Sequence, residues 1–315
     1  MDIASICMIG GSGFVGRAIA EQATERGVRV RVLTRSPQRA RSLTVLPTVE
    51  LMAGDPHDEG ALARACEGMD AAINLVGILH ESRAQSFTAV HAELPRKLAQ
   101  ACRAGGVQHL VHVSALGASE KAPSRYLRSK AAGEAALRLA TGAVPWTLLR
   151  PSVIFGEEDR FLNTFAALLR IFPVVPLAGA HARFQPIWVE DVARCCMAIL
   201  GNARAFGQTY ELCGPRAYTL AELVRLVADT LGLHRTVVAL PGPIAQLQAF
   251  VFEHLPGKLI TRDNLRSMGV DNVCSGRLPE VCAFEPSAVE AVIPAYLGAA
   301  SSGARYARYR DLAGR

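Results

Sequence analysis

The sequence predicts a mixed α/β protein built on a doubly wound parallel sheet, with a smaller C-terminal lobe. Short apolar runs alternate with helical patterns through the first 150 residues. Strands that alternate with helices form parallel sheets through right-handed crossovers. After Gly156 longer, proline-punctuated segments replace this rhythm. We therefore predict a first domain over 1–156, completed by elements around 183–215, a smaller lobe over 157–300 and a basic tail over 301–315.

Each predicted element follows from a local pattern. Strands are predicted at the apolar runs SICMIGG, VRVRVLTR, LPTVELMAGD, AAINLVG, HLVHVSALG and PWTLLRPSVIFG. Helices are predicted over 14–26, 59–68, 88–104 and 125–140. Thr219 and Glu222 lie three residues apart before an apolar periodic run, which predicts a capping box. Residues 236–260 are apolar and poor in charge, and they predict a core helix, with a partner-facing or membrane-facing surface as the alternative.

The composition suits a packed globular protein. Hydrophobic residues make up 50% of the 315 residues and charged residues 20%, which argues against disorder. No apolar run reaches the roughly 20 residues that cross a bilayer, and the N-terminus lacks the basic region and cleavage site of a secretory signal. We expect a cytoplasmic protein, with peripheral membrane association as the alternative.

The eight cysteines predict neither a metal site nor a disulfide framework. None of them forms a CxxC pair, and several lie in apolar strands or helices. Reduced, buried thiols are the expected state of such cysteines in a cytoplasmic protein.

The net charge of +6 does not predict a nucleic-acid partner. Arginines cluster near the N-terminus and in the last residues of the chain, where they can contact anions. No interleaved aromatic residues and no known nucleic-acid module accompany them, so we expect no nucleic-acid binding.

A glycine loop follows the first predicted strand and opens a helix. Gly10, Gly13 and Gly16 form GxxGxxG, in which the first glycine permits a tight turn, the second a close approach of backbone to pyrophosphate, and the third close helix packing. The helix N-terminus adds unpaired N–H groups for an anion. We predict that this loop binds a nicotinamide dinucleotide. Its predicted cofactor-binding residues are Gly10, Gly11, Ser12, Gly13, Phe14, Val15 and Gly16.

The end of the second strand favours NADP(H) over NAD(H). A carboxylate there would bind both ribose hydroxyls of NAD, but this strand ends in Arg35, whose guanidinium suits a 2′-phosphate. Arg39 adds charge in the following turn. The alternative is that Arg35 is a solvated surface charge. Further cofactor contacts are predicted at Asp55, Leu75, Val76 and Gly77, which follow the third and fourth strands.

Three residues form the candidate catalytic set. Tyr126 and Lys130 lie one turn apart on a predicted helix, so the ammonium group can stabilise a tyrosinate and hold the nicotinamide ribose. Ser114 ends the fifth strand, where doubly wound folds bind ligands, and can donate a hydrogen bond to a substrate carbonyl. This set suits hydride transfer with Tyr126 as general acid or base.

These motifs together resemble the short-chain dehydrogenase/reductase superfamily, in its extended and atypical branch. The segments SRYLRSKAAGE, RPSVIFGEEDRFLN, FQPIWVEDVA and LITRDNLRSM are similar to the NADPH-binding accessory subunits of mitochondrial respiratory complex I and their stand-alone bacterial relatives. The resemblance runs from the glycine loop to about residue 270. EDRFLN and ITRDNLRS are its most specific motifs, because no general dehydrogenase chemistry requires them.

The resemblance implies an NADPH-binding fold that acts structurally in the mitochondrial complex, near the quinone-reactive region. It also implies that Pro151 and Val153, after the sixth strand, bring backbone groups to the nicotinamide carboxamide. One departure is His91, where extended members carry asparagine before the corresponding helix.

The leading hypothesis is an NADP(H)-binding protein that reduces a small carbonyl, quinone or lipid-like substrate. The first alternative is a non-catalytic, nucleotide-loaded scaffold or redox sensor that docks on a respiratory-complex or membrane-surface partner. The second is a nucleotide-sugar epimerase or dehydratase, which the apolar character of residues 236–260 makes less favoured.

Overall fold

The computed structural model of the chain describes residues 1–254 and 260–298. Its strands are β1 (Ser5–Ile9), β2 (Arg29–Thr34), β3 (Val49–Ala53), β4 (Ala71–Asn74), β5 (His109–Val113), β6 (Trp146–Pro151), β7 (Ile154–Phe155), β8 (Val174–Leu177), β9 (Arg183–Phe184), β10 (Ile187–Trp188), β11 (Gln208–Leu212), β12 (Tyr218–Thr219) and β13 (Thr236–Ala239). Its α-helices are α1 (Phe14–Glu25), α2 (Glu59–Cys66), α3 (Leu94–Ala104), α4 (Arg125–Thr141), α5 (Leu162–Ile171), α6 (Val189–Ile199), α7 (Leu220–Thr230), α8 (Gly242–His254), α9 (Arg262–Ser267) and α10 (Val289–Leu297). A π-helix at Thr88–Glu93 precedes α3.

The chain forms two compact units. The first unit comprises Met1–Ser152, Val189–Leu212 and Cys274–Glu285, and the second comprises, among the described residues, 153–188, 213–254, 260–273 and 286–298. Because compactness does not show independent folding, the domain boundaries expected from the sequence stay a prediction. The predicted basic tail over 301–315 lies outside the described residues.

A seven-stranded sheet forms the centre of the first unit. Its order is β11-β6-β5-β4-β1-β2-β3, and all of its strand pairs are parallel. This confirms the predicted doubly wound parallel sheet. The chain reverses direction across the sheet between β1 and β4, and such a switch point is where ligands bind in open α/β sheets. All five residues of β1 are buried, as expected for a central parallel strand.

Polar side chains fix the ends of the helices on this sheet. Asp58 accepts hydrogen bonds from the first amides of α2, and Ser124 accepts one from Leu127 at the start of α4. The Arg31 guanidinium donates to the carbonyl oxygens of Arg64, Ala65 and Glu67, where α2 ends. Cations at helix C-termini are stabilising, so Arg31 has a structural role.

The second unit has its own apolar core and three short strand pairs. β7 pairs with β10 and β8 with β13 in parallel, while β9 pairs with β12 antiparallel. The core residues come mainly from α5, α7 and α10. The side chains of Thr219 and Glu222 cap α7 reciprocally, which confirms the predicted capping box.

Helix α8 is not the core helix expected from its composition. Only Ala245 and Ala249 of its residues are buried. Its exposed large apolar residues are Ile244, Leu247, Phe250 and Val251. The expectation relied on hydropathy alone, which does not show whether other elements cover a helix. Within the described ranges, no helix is long and apolar enough to span a membrane.

The expectation of reduced thiols is wrong at four of the eight cysteines. Cys195 in α6 and Cys282 form a disulfide across 87 residues of sequence, and Cys213 and Cys274 are disulfide-bonded as well. Scattered spacing in the sequence gives no sign of which cysteines meet in space. Free, buried cysteines remain at positions 7, 66, 102 and 196.

A buried ion pair joins α4 to β6. Arg150 donates to both carboxylate oxygens of Glu134, at 2.8 and 2.6 Å, and the Glu134 side chain is 1% exposed. We expect Arg150→Met to lower the free energy of unfolding by roughly 2–3 kcal/mol, because Arg138 alone then faces a buried carboxylate. Urea unfolding measures this loss.

The matched control is Arg183→Met, which removes an exposed pair with Asp271 and should cost less than about 1 kcal/mol. Adding Glu134→Gln to Arg150→Met should restore part of the loss, because the charge without a partner is then gone. Equal losses for the two arginine variants would contradict the role of burial.

Candidate functional site

The glycine loop needs glycine at its tight contacts. Gly10 has φ = +84°, and a Cβ there would lie 3.0 Å from Val76 Cγ2. A Cβ on Gly16 would overlap the backbone of Gly11, so α1 packs against the loop more closely than any side chain permits. The turn is closed by the N–H of Gly13, which donates to the carbonyl of Gly10 at 3.1 Å.

The first turn of α1 fits an anion. Gly13 is its N-cap and provides no side-chain hydrogen bond, in contrast to the capped starts of α2 and α4. The predicted residues Gly11, Ser12, Phe14 and Val15 complete this loop and helix start. Amides without a side-chain cap at a helix start attract anions, so the loop fits the pyrophosphate of a dinucleotide.

The early arginines separate into two kinds. Arg31 bonds the end of α2 and pairs with Glu50. Arg35 and Arg39 are exposed where β2 ends, and among the described residues neither guanidinium has a partner. Asp55 follows β3, is exposed, and accepts a hydrogen bond from the His57 N–H. Arg35 and Asp55 thus follow neighbouring strands at the carboxyl edge of the sheet.

The turn after β4 connects the glycine loop to the candidate catalytic residues. The Leu75 N–H donates to the carbonyl of Ile9 at 2.9 Å, and Val76 contacts Gly10. A Cβ on Gly77 would lie 3.1 Å from Lys130 Nζ, so a larger residue there would displace the ammonium group. These contacts bring the predicted cofactor residues Leu75, Val76 and Gly77 between Gly10 and Lys130.

The structure brings Ser114 and Lys130 to the carboxyl end of β5. Ser114 is 4% exposed, and its Oγ has no hydrogen-bond partner among the described residues. Lys130 is 5% exposed, and its Nζ donates to the carbonyl of Val113 at 3.2 Å. A buried hydroxyl without a partner fits a bound ligand, because buried polar groups are otherwise almost always paired.

Burial shifts the pKa values of the predicted catalytic residues. It lowers the pKa of Lys130 to about 8, while the nearby Glu134 carboxylate opposes this shift. It raises the pKa of Tyr126 to about 12. The sequence suggested that Lys130 would lower the phenol pKa, but in the structure the desolvation of the phenol dominates. At neutral pH the phenol is therefore protonated.

His91 links the π-helix to the turn after β4 and to α4. Its Nε2 accepts from the Ile78 N–H at 3.0 Å, so its proton is on Nδ1, which donates to Ser129 Oγ at 2.7 Å. Ser129 Oγ in turn donates to the carbonyl of Tyr126. A Cβ on Gly133 would overlap the His91 carbonyl, so α4 accommodates the π-helix only with glycine there. Burial and the Lys130 charge lower the pKa of His91 to about 3.

The sequence interpretation missed Asn74 and His112. They are buried opposite each other on β4 and β5, and Asn74 Nδ2 lies 3.0 Å from His112 Nδ1. Polar residues at the carboxyl ends of otherwise apolar strands were the available signal, because those ends meet at the ligand edge of a parallel sheet.

The two residues predicted after the sixth strand lie in different units. Pro151 ends β6 in the first unit, and its carbonyl accepts from the Leu116 N–H. Val153 lies in the second unit, where its N–H donates to Asn272 and its carbonyl accepts from Ile187. Their contacts with a cofactor stay predictions.

The glycine loop, the parallel sheet and the polar cluster at its carboxyl edge define a dinucleotide-binding protein. Residues 10–203 match the family described as NAD(P)H-binding, and the chain belongs to this family. This agrees with the resemblance stated from the sequence.

Among curated proteins, the chain is 35% identical to the mitochondrial NADH dehydrogenase (ubiquinone) 1 alpha subcomplex subunit 9 of Arabidopsis thaliana, over 77% of the chain and 61% of that relative. The mouse protein of the same name is 32% identical over 90% of the chain and 77% of its length. A ceramide reductase of Caulobacter vibrioides is 31% identical over 76% of the chain and 74% of its length.

Solved structures support the fold. The NADPH-dependent quinone oxidoreductase QOR2 of Escherichia coli, in complex with NADPH, superposes with a TM-score of 0.71 and 20% identity, over 91% of this chain and 97% of that one. A nucleoside-diphosphate-sugar epimerase of Staphylococcus aureus gives a TM-score of 0.69 at 18% identity, over 91% and 98% of the two chains. At these identities the likeness concerns the fold alone.

The buried neutral state of His91 predicts how stability depends on pH. As the pH falls through 6.5 the unfolded chain binds a proton at this residue, whereas the folded chain does not until about pH 3. The free energy of unfolding should therefore fall with decreasing pH in this window. In His91→Asn the loss between pH 7 and pH 5 should be smaller by roughly 2 kcal/mol.

Denaturant unfolding at the two pH values measures this difference. Ser129→Ala is the control, because it removes the hydrogen-bond partner of His91 but keeps the buried imidazole. An unchanged pH dependence in His91→Asn would show that His91 is not held neutral in the folded state.

Proposed function

We propose that the protein binds NADPH in preference to NADH and uses it to reduce a small carbonyl, quinone or lipid-like substrate. The observation that carries the cofactor preference is the pair Arg35 and Arg39, exposed after β2 without partners among the described residues. A guanidinium fork binds phosphate oxygens in a bidentate manner. No carboxylate stands at the end of β2 to repel a 2′-phosphate.

In this reaction the three candidate catalytic residues have different roles. NADPH supplies a hydride when it is bound. Ser114 Oγ donates a hydrogen bond to the substrate carbonyl oxygen, and the Tyr126 hydroxyl delivers a proton to the same oxygen, which yields the alcohol. Lys130 holds the nicotinamide ribose and stabilises the tyrosinate that forms. A phenol is protonated at neutral pH, as a general acid for reduction must be, and burial raises the pKa of Tyr126 further in the same direction.

The substrate class is inferred from a curated relative. That relative is named as a ceramide reductase. The name describes the reduction of a lipid, and for this chain a small carbonyl, quinone or lipid-like substrate is a proposal.

A second candidate function is a nucleotide-loaded scaffold without turnover. It is supported by the relatives named as subunits of mitochondrial NADH dehydrogenase and by the exposed apolar residues of α8. An exposed apolar helix face favours contact with a partner or a membrane surface.

The test of cofactor preference is Arg35→Ala. We expect the Kd for NADPH to rise about tenfold or more, because a charge-assisted contact with the 2′-phosphate is lost, while the Kd for NADH changes less than about twofold. Fluorescence titration measures both constants. Arg26→Ala is the matched control, an exposed arginine before β2, at the opposite edge of the sheet. Equal losses of NADPH and NADH affinity would refute the proposed 2′-phosphate contact.

The test of catalysis is Tyr126→Phe. With a panel of quinones and carbonyl compounds, we expect the wild type to oxidise NADPH and the variant to lose that activity by at least about a hundredfold, the lower limit for general acid catalysis. NADPH affinity should persist in the variant. If activity survives, Tyr126 is not the acid. If the wild type binds NADPH but reduces no member of the panel, the scaffold function is favoured.

A further inference from the structure

His112 is one of the buried polar residues that the proposed chemistry leaves without a role. It lies in β5, 1% exposed, on the same face as Ser114 two residues later. On the opposite face His109 is buried as well, and both of its ring nitrogens are bonded, to Thr147 Oγ1 and to the Gly201 N–H. For His112 only Nδ1 has a partner among the described residues.

The direction of each hydrogen bond around His112 follows from one backbone donor. The Val76 N–H donates to Asn74 Oδ1 at 3.1 Å, which fixes the orientation of the side-chain amide. Asn74 Nδ2 must then be the donor toward His112, so Nδ1 of the imidazole accepts and its proton is on Nε2. Burial and the charge of Lys130 lower the pKa of His112, which keeps the ring in this neutral form.

The two hydrogen bonds of Asn74 allow only one orientation of its amide and one position of the proton on His112. Turning the amide over would place Nδ2 against the Val76 N–H, donor against donor. A protonated His112 would likewise face Asn74 Nδ2 with a second donor. The Val76 peptide is thus held in place by a side chain on β5, although the two are 36 residues apart in sequence.

We propose that His112 is a positioning residue that, through Asn74, holds the Val76 peptide and Gly77 in the place required for binding the dinucleotide. Gly10 contacts Val76 on one side of this turn, and Lys130 Nζ lies beside Gly77 on the other. A shift of the turn therefore changes both the glycine loop and the position of the ammonium group. The proposal rests on the proposed NADPH binding and concerns affinity rather than the chemical step.

The experiment compares His112→Phe with His109→Phe by NADPH titration and by thermal unfolding without cofactor. Both variants remove a buried histidine from β5 and should lower the Tm. Only His112→Phe should raise the Kd for NADPH, by about tenfold, the effect of losing one to two hydrogen bonds. His112→Gln keeps an acceptor for Asn74 Nδ2 and should restore the wild-type Kd to within about threefold.

Several outcomes would overturn the proposal. If the Tm falls equally in the two phenylalanine variants and the Kd for NADPH changes in neither, His112 contributes only to stability. If the Kd for NADPH is as high in His112→Gln as in His112→Phe, the hydrogen bond accepted at Nδ1 does not determine NADPH affinity. Should His112→Phe fail to fold, Asn74→Ala tests the same link and should raise the Kd by a similar factor. A wild type that does not bind NADPH refutes the proposed function itself, and this inference with it.

Discussion

The burial of the Lys130 ammonium group is the constraint on which the rest of the site depends. A cation with 5% exposure loses most of its hydration and must be compensated by the protein. The compensation comes from the Val113 carbonyl and, at longer range, from Glu134, one turn further along α4. Gly77 is tolerated beside the charge because it has no side chain. His91 and His112 are both kept neutral nearby, so the site holds one positive charge rather than three.

The regular part of the fold was predictable from the sequence because it follows local rules. The apolar runs from SICMIGG to PWTLLRPSVIFG correspond to β1 through β6, and the glycine loop lies where its spacing predicted. The cofactor-binding loop could also be recognised from a short stretch of sequence. By contrast, the link from His112 through Asn74 to Val76 depends on the pairing of β4 with β5. The sequence of either strand alone does not determine which strand it pairs with.

Other features could not be predicted from the sequence, because they depend on contacts between distant residues. The disulfide between Cys195 and Cys282 joins residues whose approach depends on tertiary packing. The direction of the Tyr126 pKa shift depends on the competition between desolvation and a neighbouring charge, which needs coordinates. The exposure of α8 depends on what other elements cover it, and its composition contains no such information.

The two most specific sequence motifs turn out to begin helices in the second unit. In EDRFLN, the carboxylate of Asp159 accepts hydrogen bonds from the amides of Gly156, Phe161 and Leu162 at the start of α5. In ITRDNLRS, Thr261 and Asn264 cap α9 reciprocally. Their specificity to the family therefore has a structural explanation in this chain, and it does not by itself point to a reaction.

The π-helix at Thr88–Glu93 affects how this segment is aligned with the sequences of relatives. A π-turn holds one residue more than an α-turn, so removing a single residue here would give a regular α-turn and would keep the direction in which the flanking residues face. The contacts that would change are those made from inside the π-turn, such as His91 with Ile78 and the His91 carbonyl with Gly133. When this segment is aligned with relatives, a one-residue gap is therefore compatible with unchanged helices on either side of it. Equivalent positions in such relatives should be assigned from superposed backbones rather than from matched letters.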